Sequence, residues 1–141
     1  IIKDRYTNRT FIIENKKYIC RNIKRKFSVI KDVVKNKTVL LIDDSVVRGN
    51  TSSTIIKILK DAGVKNVIFG SASPKINNTN QFGIYIENKK ELITYNNSTN
   101  DMIAKSIGAR NIYYNELDDV IELINDMNPL IRNMEISMFL Q

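Results

Sequence analysis

A chain of 141 residues that is 43% hydrophobic and 26% charged can bury one core and form one domain, or be a piece of a larger one. It has no histidine and a single cysteine, Cys20. That excludes Ser-His-Asp and Cys-His catalysis, HExxH zinc sites and an internal disulfide, and leaves chemistry to carboxylates, Lys, Arg, hydroxyls and a hard metal. The net charge of +7 is local: residues 1–37 hold twelve Lys and Arg against three acids, so residues 38–141 sum to −2. In chain order, Thr10 to Ile13 reads as a short strand, Glu14 to Lys26 as a mobile basic loop and Phe27 to Lys35 as a helix ending at Asn36.

Thr38 to Ile42 is a nearly continuous apolar run, the pattern of a parallel strand covered on both faces. Two adjacent acids follow, Asp43 and Asp44, and then a small, hydroxyl-rich turn that opens a helix at about Thr51. Ile55, Ile56, Leu59 and Ala62 share one face of this helix, Thr51 or Ser52 is its expected N-cap and Gly63 its C′ residue. Val67 to Ala72 reads as a second buried strand, broken by Ser73-Pro74 and followed by an Asn-rich loop, Lys75 to Gln81. Further strands are expected at Phe82–Ile86 and Asn111–Tyr114. Between them lies a helix over Asp101–Ile107, capped by Thr99 and ended by Gly108. A last helix, capped by Asn115, carries Leu117, Val120, Ile121, Ile124 and Met127 at helical spacing. Leu130 to Gln141 reads as a tail. Alternating strands and helices define the α/β class with a mostly parallel sheet, in one incomplete domain.

The stretch Asp43 to Ser53 carries the chemistry. A strand, a loop and a helix N-terminus in succession offer backbone N–H groups and the positive end of a helix dipole to a phosphate. Gly49 lets the backbone approach an anion closely, Thr51, Ser52 and Ser53 add hydroxyls, and the paired acids can hold a sugar hydroxyl or hydrated Mg²⁺. The Gly-Lys-Ser/Thr ending of a Walker A loop is missing, which favours a sugar phosphate over a nucleoside triphosphate. Glu116, Asp118 and Asp119 fill a helix first turn, where the dipole explains them.

The run Asp-Asp-Ser-Val-Val-Arg-Gly-Asn-Thr-Ser resembles the phosphoribosyl-pyrophosphate (PRPP) signature of the type I phosphoribosyltransferases, in the form seen in the amidophosphoribosyltransferases. Asp4 to Ile12, Arg21 to Lys26, Ser71-Ala-Ser-Pro74, Phe82-Gly-Ile84, Glu91-Leu-Ile93 and Ile107-Gly-Ala109 also resemble that family in order and spacing. The resemblance implies a partial, Rossmann-like phosphoribosyltransferase domain over residues 1–141. It implies that Asp43 and Asp44 contact ribose hydroxyls and Mg²⁺, that Arg48, Gly49, Asn50, Thr51, Ser52 and Ser53 bind the 5′-phosphate, and that Ser45 is a further substrate contact in the PRPP-binding loop at 43–53. A flexible basic loop, about 3–26, would close over pyrophosphate, with Arg9, Arg21, Lys24 and Arg25 as catalytic contacts and Tyr6 as a substrate contact.

The implied reaction is displacement of pyrophosphate by glutamine-derived ammonia, giving phosphoribosylamine in the cytoplasm at the start of purine synthesis. The glutaminase domain that supplies the ammonia is absent from these residues, so the isolated chain is expected to bind PRPP poorly and not to use glutamine. Purine nucleotide inhibitors and a homo-oligomer are implied at full length, but neither a membrane nor a nucleic-acid partner. The alternative reading is a non-catalytic PRPP- or nucleotide-sensing domain of the same fold. A basic nucleic-acid binder is a further contrast, disfavoured because few aromatics interleave the cations.

Overall fold

The computed structural model describes residues 1–3, 27–80 and 86–140. The expected strand at 10–13, the basic loop through Lys26 and residues 82–85 of the expected strand at 82–86 lie outside the described residues. Two short strands, β1 (Ile2–Lys3) and β2 (Phe27–Ser28), pair antiparallel. A short helix α1 (Lys31–Val34) leads into β3 (Thr38–Asp43), α2 (Asn50–Asp61) and β4 (Asn66–Ser71). A 3-10 turn at Lys89–Glu91 precedes α3 (Ile93–Asn96), α4 (Asn100–Ile107), β5 (Asn111–Tyr114) and α5 (Leu117–Met127).

The expected helix from Phe27 is therefore shortened. Phe27 and Ser28 use their backbone to pair with Lys3 and Ile2, and Ile30 gives no side-chain cap, so only four residues turn helical. The turn after α1 closes at Asn36, as expected, in a left-handed conformation (φ 62°) that Asn tolerates, with its N–H donated to the Gly63 carbonyl at 2.8 Å.

β3, β4 and β5 form a parallel sheet in the order β3-β4-β5, with Asp43 opposite Ser71 and Ser71 opposite Tyr114. Their alternate side chains face a core with α2 and α4: Val67, Phe69 and Ile112 meet Ile55, Ile56 and Leu59 of α2 and Ile103, Ala104 and Ile107 of α4. This is the helical face expected for α2, and Gly63 (φ 89°) ends the helix as expected. The other sheet face corrects the expectation of strands covered on both sides. Leu40 is 60% exposed, Ile42 68% and Tyr113 60%. β3 ends the described strand order and the core helices share one side, so its apolar run is half-buried, and on alternate residues only. The stripe of α5 is half-buried at best, and none of its residues is buried.

A second, smaller core joins the loops that follow β3 and β4 to the C-terminal segment. Ile76, Ile86 and Leu92 are buried against Val47, Met138 and Phe139. The Asn-rich loop fastens the C-terminal segment there. The N–H groups of Asn77 and Asn78 donate to the Met138 carbonyl (2.7 and 3.0 Å), and their side-chain amides donate to the carbonyls of Phe139 (3.0 Å) and Leu140 (2.6 Å). The end of the expected tail is thus bound by asparagine side chains that read backbone carbonyls. No helix among the described residues is long and apolar enough to cross a membrane.

Candidate phosphate and ribose site

The site lies at the C-terminal ends of the parallel strands, where open α/β sheets collect ligands. Asp43 is the last residue of β3 and is half-buried, while Asp44 is exposed. The Asp44 N–H donates to Asp43 Oδ1 at 3.0 Å, and the Ser45 hydroxyl donates to Asp44 Oδ1 at 3.2 Å. Backbone bonds from Ala72 N to the Asp43 carbonyl (2.9 Å) and from Ser73 N to the Asp44 carbonyl (2.8 Å) carry the β3–β4 ladder past the strand ends. Both acids are held on a rigid backbone with their carboxylates at the rim. Among the described residues no three His, Cys, Asp or Glu side chains cluster as a metal cage.

The N-cap of the helix beyond the loop falls two or three residues earlier than its hydroxyls suggested. Gly49, not Thr51 or Ser52, is the N-cap of α2; its φ of 73° is left-handed, and no side chain caps the helix. The first helical bond runs from Ser53 N to the Gly49 carbonyl at 2.9 Å, so the N–H groups of Asn50, Thr51 and Ser52 precede the ladder. Those three donors and the positive dipole end form a ready anion cradle. A Cβ on Gly49 would stand 2.6 Å from Ile93 Cδ1 and 3.2 Å from Ile107 Cγ2, so the loop touches the core there.

The hydroxyls divide. Ser53 Oγ donates to the Asn50 carbonyl at 3.0 Å, as does the neighbouring Thr54 Oγ1 at 2.8 Å, and Ser52 is buried. Thr51 is half-buried beside the exposed end of the helix. The cradle is therefore built first from main-chain N–H groups. Arg48 points its Nε and Nη2 at Glu91 Oε2, both at 2.6 Å. The segment Glu91-Leu-Ile93 stood out in the sequence only as part of the resemblance; its contact with the loop spans 43 residues, beyond any local pattern.

Around the same sheet end, Ser71 Oγ donates to the Ser73 carbonyl at 2.9 Å, and the Asn115 side chain donates to the Ala72 carbonyl at 2.7 Å. Asn115 thus ties β5 to β4 rather than capping α5, whose N-cap is Glu116. Tyr114 has a buried hydroxyl without a hydrogen-bond partner, and burial pushes its pKa up to about 12. The Lys75 ammonium lies 5.7 Å from the centre of its ring. A cleft of about 390 Å³ is lined by Lys75 together with Lys89, Thr94, Tyr95 and Asn97, and shares no residue with the loop 43–53. Lys57, Lys60 and Lys65 are solvent-exposed. Tyr6, Arg9, Arg21, Lys24 and Arg25 lie outside the described residues.

No protein-family model matches the chain. It is 38% identical over 138 residues to the amidophosphoribosyltransferase of Pasteurella multocida and 37% identical over 138 residues to that of Escherichia coli. Both alignments take in 98% of the chain. The human amidophosphoribosyltransferase is 39% identical over 126 residues. Among solved structures, a glutamine PRPP amidotransferase of B. subtilis complexed with ADP and GMP superposes with a TM-score of 0.68 at 31% identity, over 97% of the chain. The chain spans about 27% of the length of the two bacterial relatives and 29% of the B. subtilis chain. Over nearly all of its length it is related in sequence and in α/β fold to one part of the amidophosphoribosyltransferases.

Proposed function

We propose that this chain is the PRPP-binding portion of an amidophosphoribosyltransferase, the enzyme that opens purine synthesis by replacing the pyrophosphate of PRPP with ammonia drawn from glutamine. One observation carries the reading: two adjacent carboxylates at the end of β3 stand one short loop from the N-terminus of α2, which no side chain caps. A ribose 5-phosphate has that polarity, with diol hydroxyls that donate to carboxylates and a terminal dianion that accepts from N–H groups.

In this reading Asp43 and Asp44 receive the ribose hydroxyls, and the N–H groups of Asn50, Thr51 and Ser52 take the 5′-phosphate. The rigid ladder beneath the acids and the seated Gly49 fix the sugar between two anchors, so that C1 is presented to the nucleophile in one orientation. The C1–O bond to pyrophosphate breaks as the ammonia lone pair forms the C1–N bond, and an ammonium proton is lost to solvent. Ammonia needs no strong base, which suits a site whose groups position and stabilise charge. The donors here fit Mg²⁺: two hard carboxylates, with no cluster of three acids among the described residues, suit an ion that keeps its waters and leans on substrate phosphates. Bound there, Mg²⁺ would supply charge neutralisation for the pyrophosphate. The cations Arg9, Arg21, Lys24 and Arg25 are the proposed screen for the leaving group. The ammonia source, the purine nucleotide inhibitors, the homo-oligomer and the cytoplasmic setting belong to the same reading of the whole enzyme.

The test is an amide-resolved NMR titration of the chain with PRPP and Mg²⁺, beside a titration with duplex DNA at low and moderate salt. Weak, saturable shifts at Asn50 to Ser53, abolished by the double substitution Asp43→Asn and Asp44→Asn, are expected. Tight DNA binding with no PRPP response at Asn50 to Ser53 would overturn the reading.

A further inference from the structure

Three contacts converge on the loop between β3 and α2, and all come from residues 91–93. Glu91 Oε2 accepts from both Nε and Nη2 of Arg48 at 2.6 Å, Ile93 N–H donates to the Val47 carbonyl at 2.8 Å, and the Ile93 side chain fills the space against which Gly49 rests. The brace has a fixed base, since Leu92 is 1% exposed within the smaller core that Val47 also joins. Residues 91–93 thus hold Val47, Arg48 and Gly49 in turn, by a hydrogen bond, an ion pair and a packing contact. The guanidinium edge bearing Nε and Nη2, which could otherwise fork onto a phosphate, is spent on Glu91.

We infer that Glu91 is a positioning residue for the anion cradle and that Arg48 is the anchor of the loop rather than a ligand of the phosphate. Glu91 holds Arg48, which holds the loop, which keeps Gly49 left-handed and the N–H groups of Asn50 to Ser52 facing one point. The consequence for PRPP rests on the proposed function above; the consequence for loop order does not.

The experiment compares the chain with Glu91→Gln, Arg48→Glu and the swap Arg48→Glu/Glu91→Arg. It reads ligand-free amide hydrogen exchange at Ile93 and Ser53, whose N–H groups hold the Val47 and Gly49 carbonyls, and then PRPP·Mg²⁺ affinity. Each single change is expected to speed exchange at both amides and to weaken binding, by about fivefold, while the swap returns both to within about twofold. Unchanged exchange in both single variants would overturn the brace. Restored exchange with unrestored affinity in the swap would overturn the anchor assignment, because Arg48 would then be touching the phosphate itself. If the unaltered chain shows no PRPP response while exchange behaves as expected, the brace stands and the phosphoribosyl reading is what fails.

Discussion

Replacing Gly49 with Ala strikes the fold and the cradle at one atom. The position is left-handed at φ 73°, which costs an L-residue about 1–2 kcal/mol, offset by about 0.4–1 kcal/mol because Ala stiffens the unfolded chain. The new methyl would stand 2.6 Å from Ile93 Cδ1 and 3.2 Å from Ile107 Cγ2. Both side chains are at most 8% exposed, so neither can swing into solvent, and overpacking of this kind adds about 1–3 kcal/mol. Together these give a destabilisation of about 1–5 kcal/mol, centred near 3, a large share of the stability of a single domain. Gly63→Ala is the internal control. Its φ of 89° is also left-handed, but its Cβ would meet only the Lys35 side chain, at 3.3 Å, so backbone strain of about 1 kcal/mol is all that is expected. Urea unfolding followed by circular dichroism measures both, provided the slope stays constant. Equal losses for the two variants, or a loss below about 0.5 kcal/mol at Gly49, would refute the packing argument. Gly49→Ala combined with Ile93→Val should recover part of the difference by clearing the 2.6 Å contact.

Other outcomes follow from burial, capping and charge. Phe69→Ala, at a wholly buried strand position, should cost about 3–5 kcal/mol in urea unfolding, whereas Ile42→Thr on the open face, two-thirds exposed, should stay within about 0.5 kcal/mol. Thr99→Ala removes the hydroxyl that accepts from Met102 N at 3.2 Å and should lower the thermal midpoint by an amount equivalent to about 1 kcal/mol. Tyr114→Phe should be neutral or stabilising by up to about 1 kcal/mol at pH 7, since it deletes a buried hydroxyl that has no partner. Burial raises this phenol to about 12 from the ordinary 10.0, so the folded state favours the neutral form. Its contribution to stability is whole below the unfolded value near 10 and is lost as pH rises through about 12. Tyr114→Phe should therefore flatten the alkaline decline by about 1–2 kcal/mol, read as the difference between the two stability curves over that window.

Local chemistry was legible in the chain itself. The α/β alternation, the helical face of Ile55, Ile56 and Leu59, the Thr99 cap, the Gly108 stop and the strand at Asn111–Tyr114 all rest on interactions spanning a few residues, which is the range over which sequence spacing carries information. The junction of two acids, a glycine and a hydroxyl-rich helix start was legible for the same reason. Errors clustered where partners are distant. Phe27–Ser28 pairs with Ile2–Lys3 instead of starting a helix, and Asn115 bonds to Ala72 instead of capping α5. The asparagines at 77 and 78 looked like loop punctuation until Met138 to Leu140 came back to them.

The chain by itself marked contiguous residues 43–53 as the candidate stretch for a phosphate and a sugar, because the acids, glycine and hydroxyls that suit them are neighbours in sequence. The tertiary structure decided which groups are in position to do it. It placed Gly49 as the cap, turned Ser53 and Thr54 inward onto the helix, and left the N–H groups of Asn50 to Ser52 outside the helical ladder. It also brought Glu91 across 43 residues to Arg48, a meeting that depends on how the smaller core seats Leu92 and that no periodicity in the sequence encodes. Backbone donors and long-range ion pairs are products of chain geometry, so they become visible only once the strands and helices have packed.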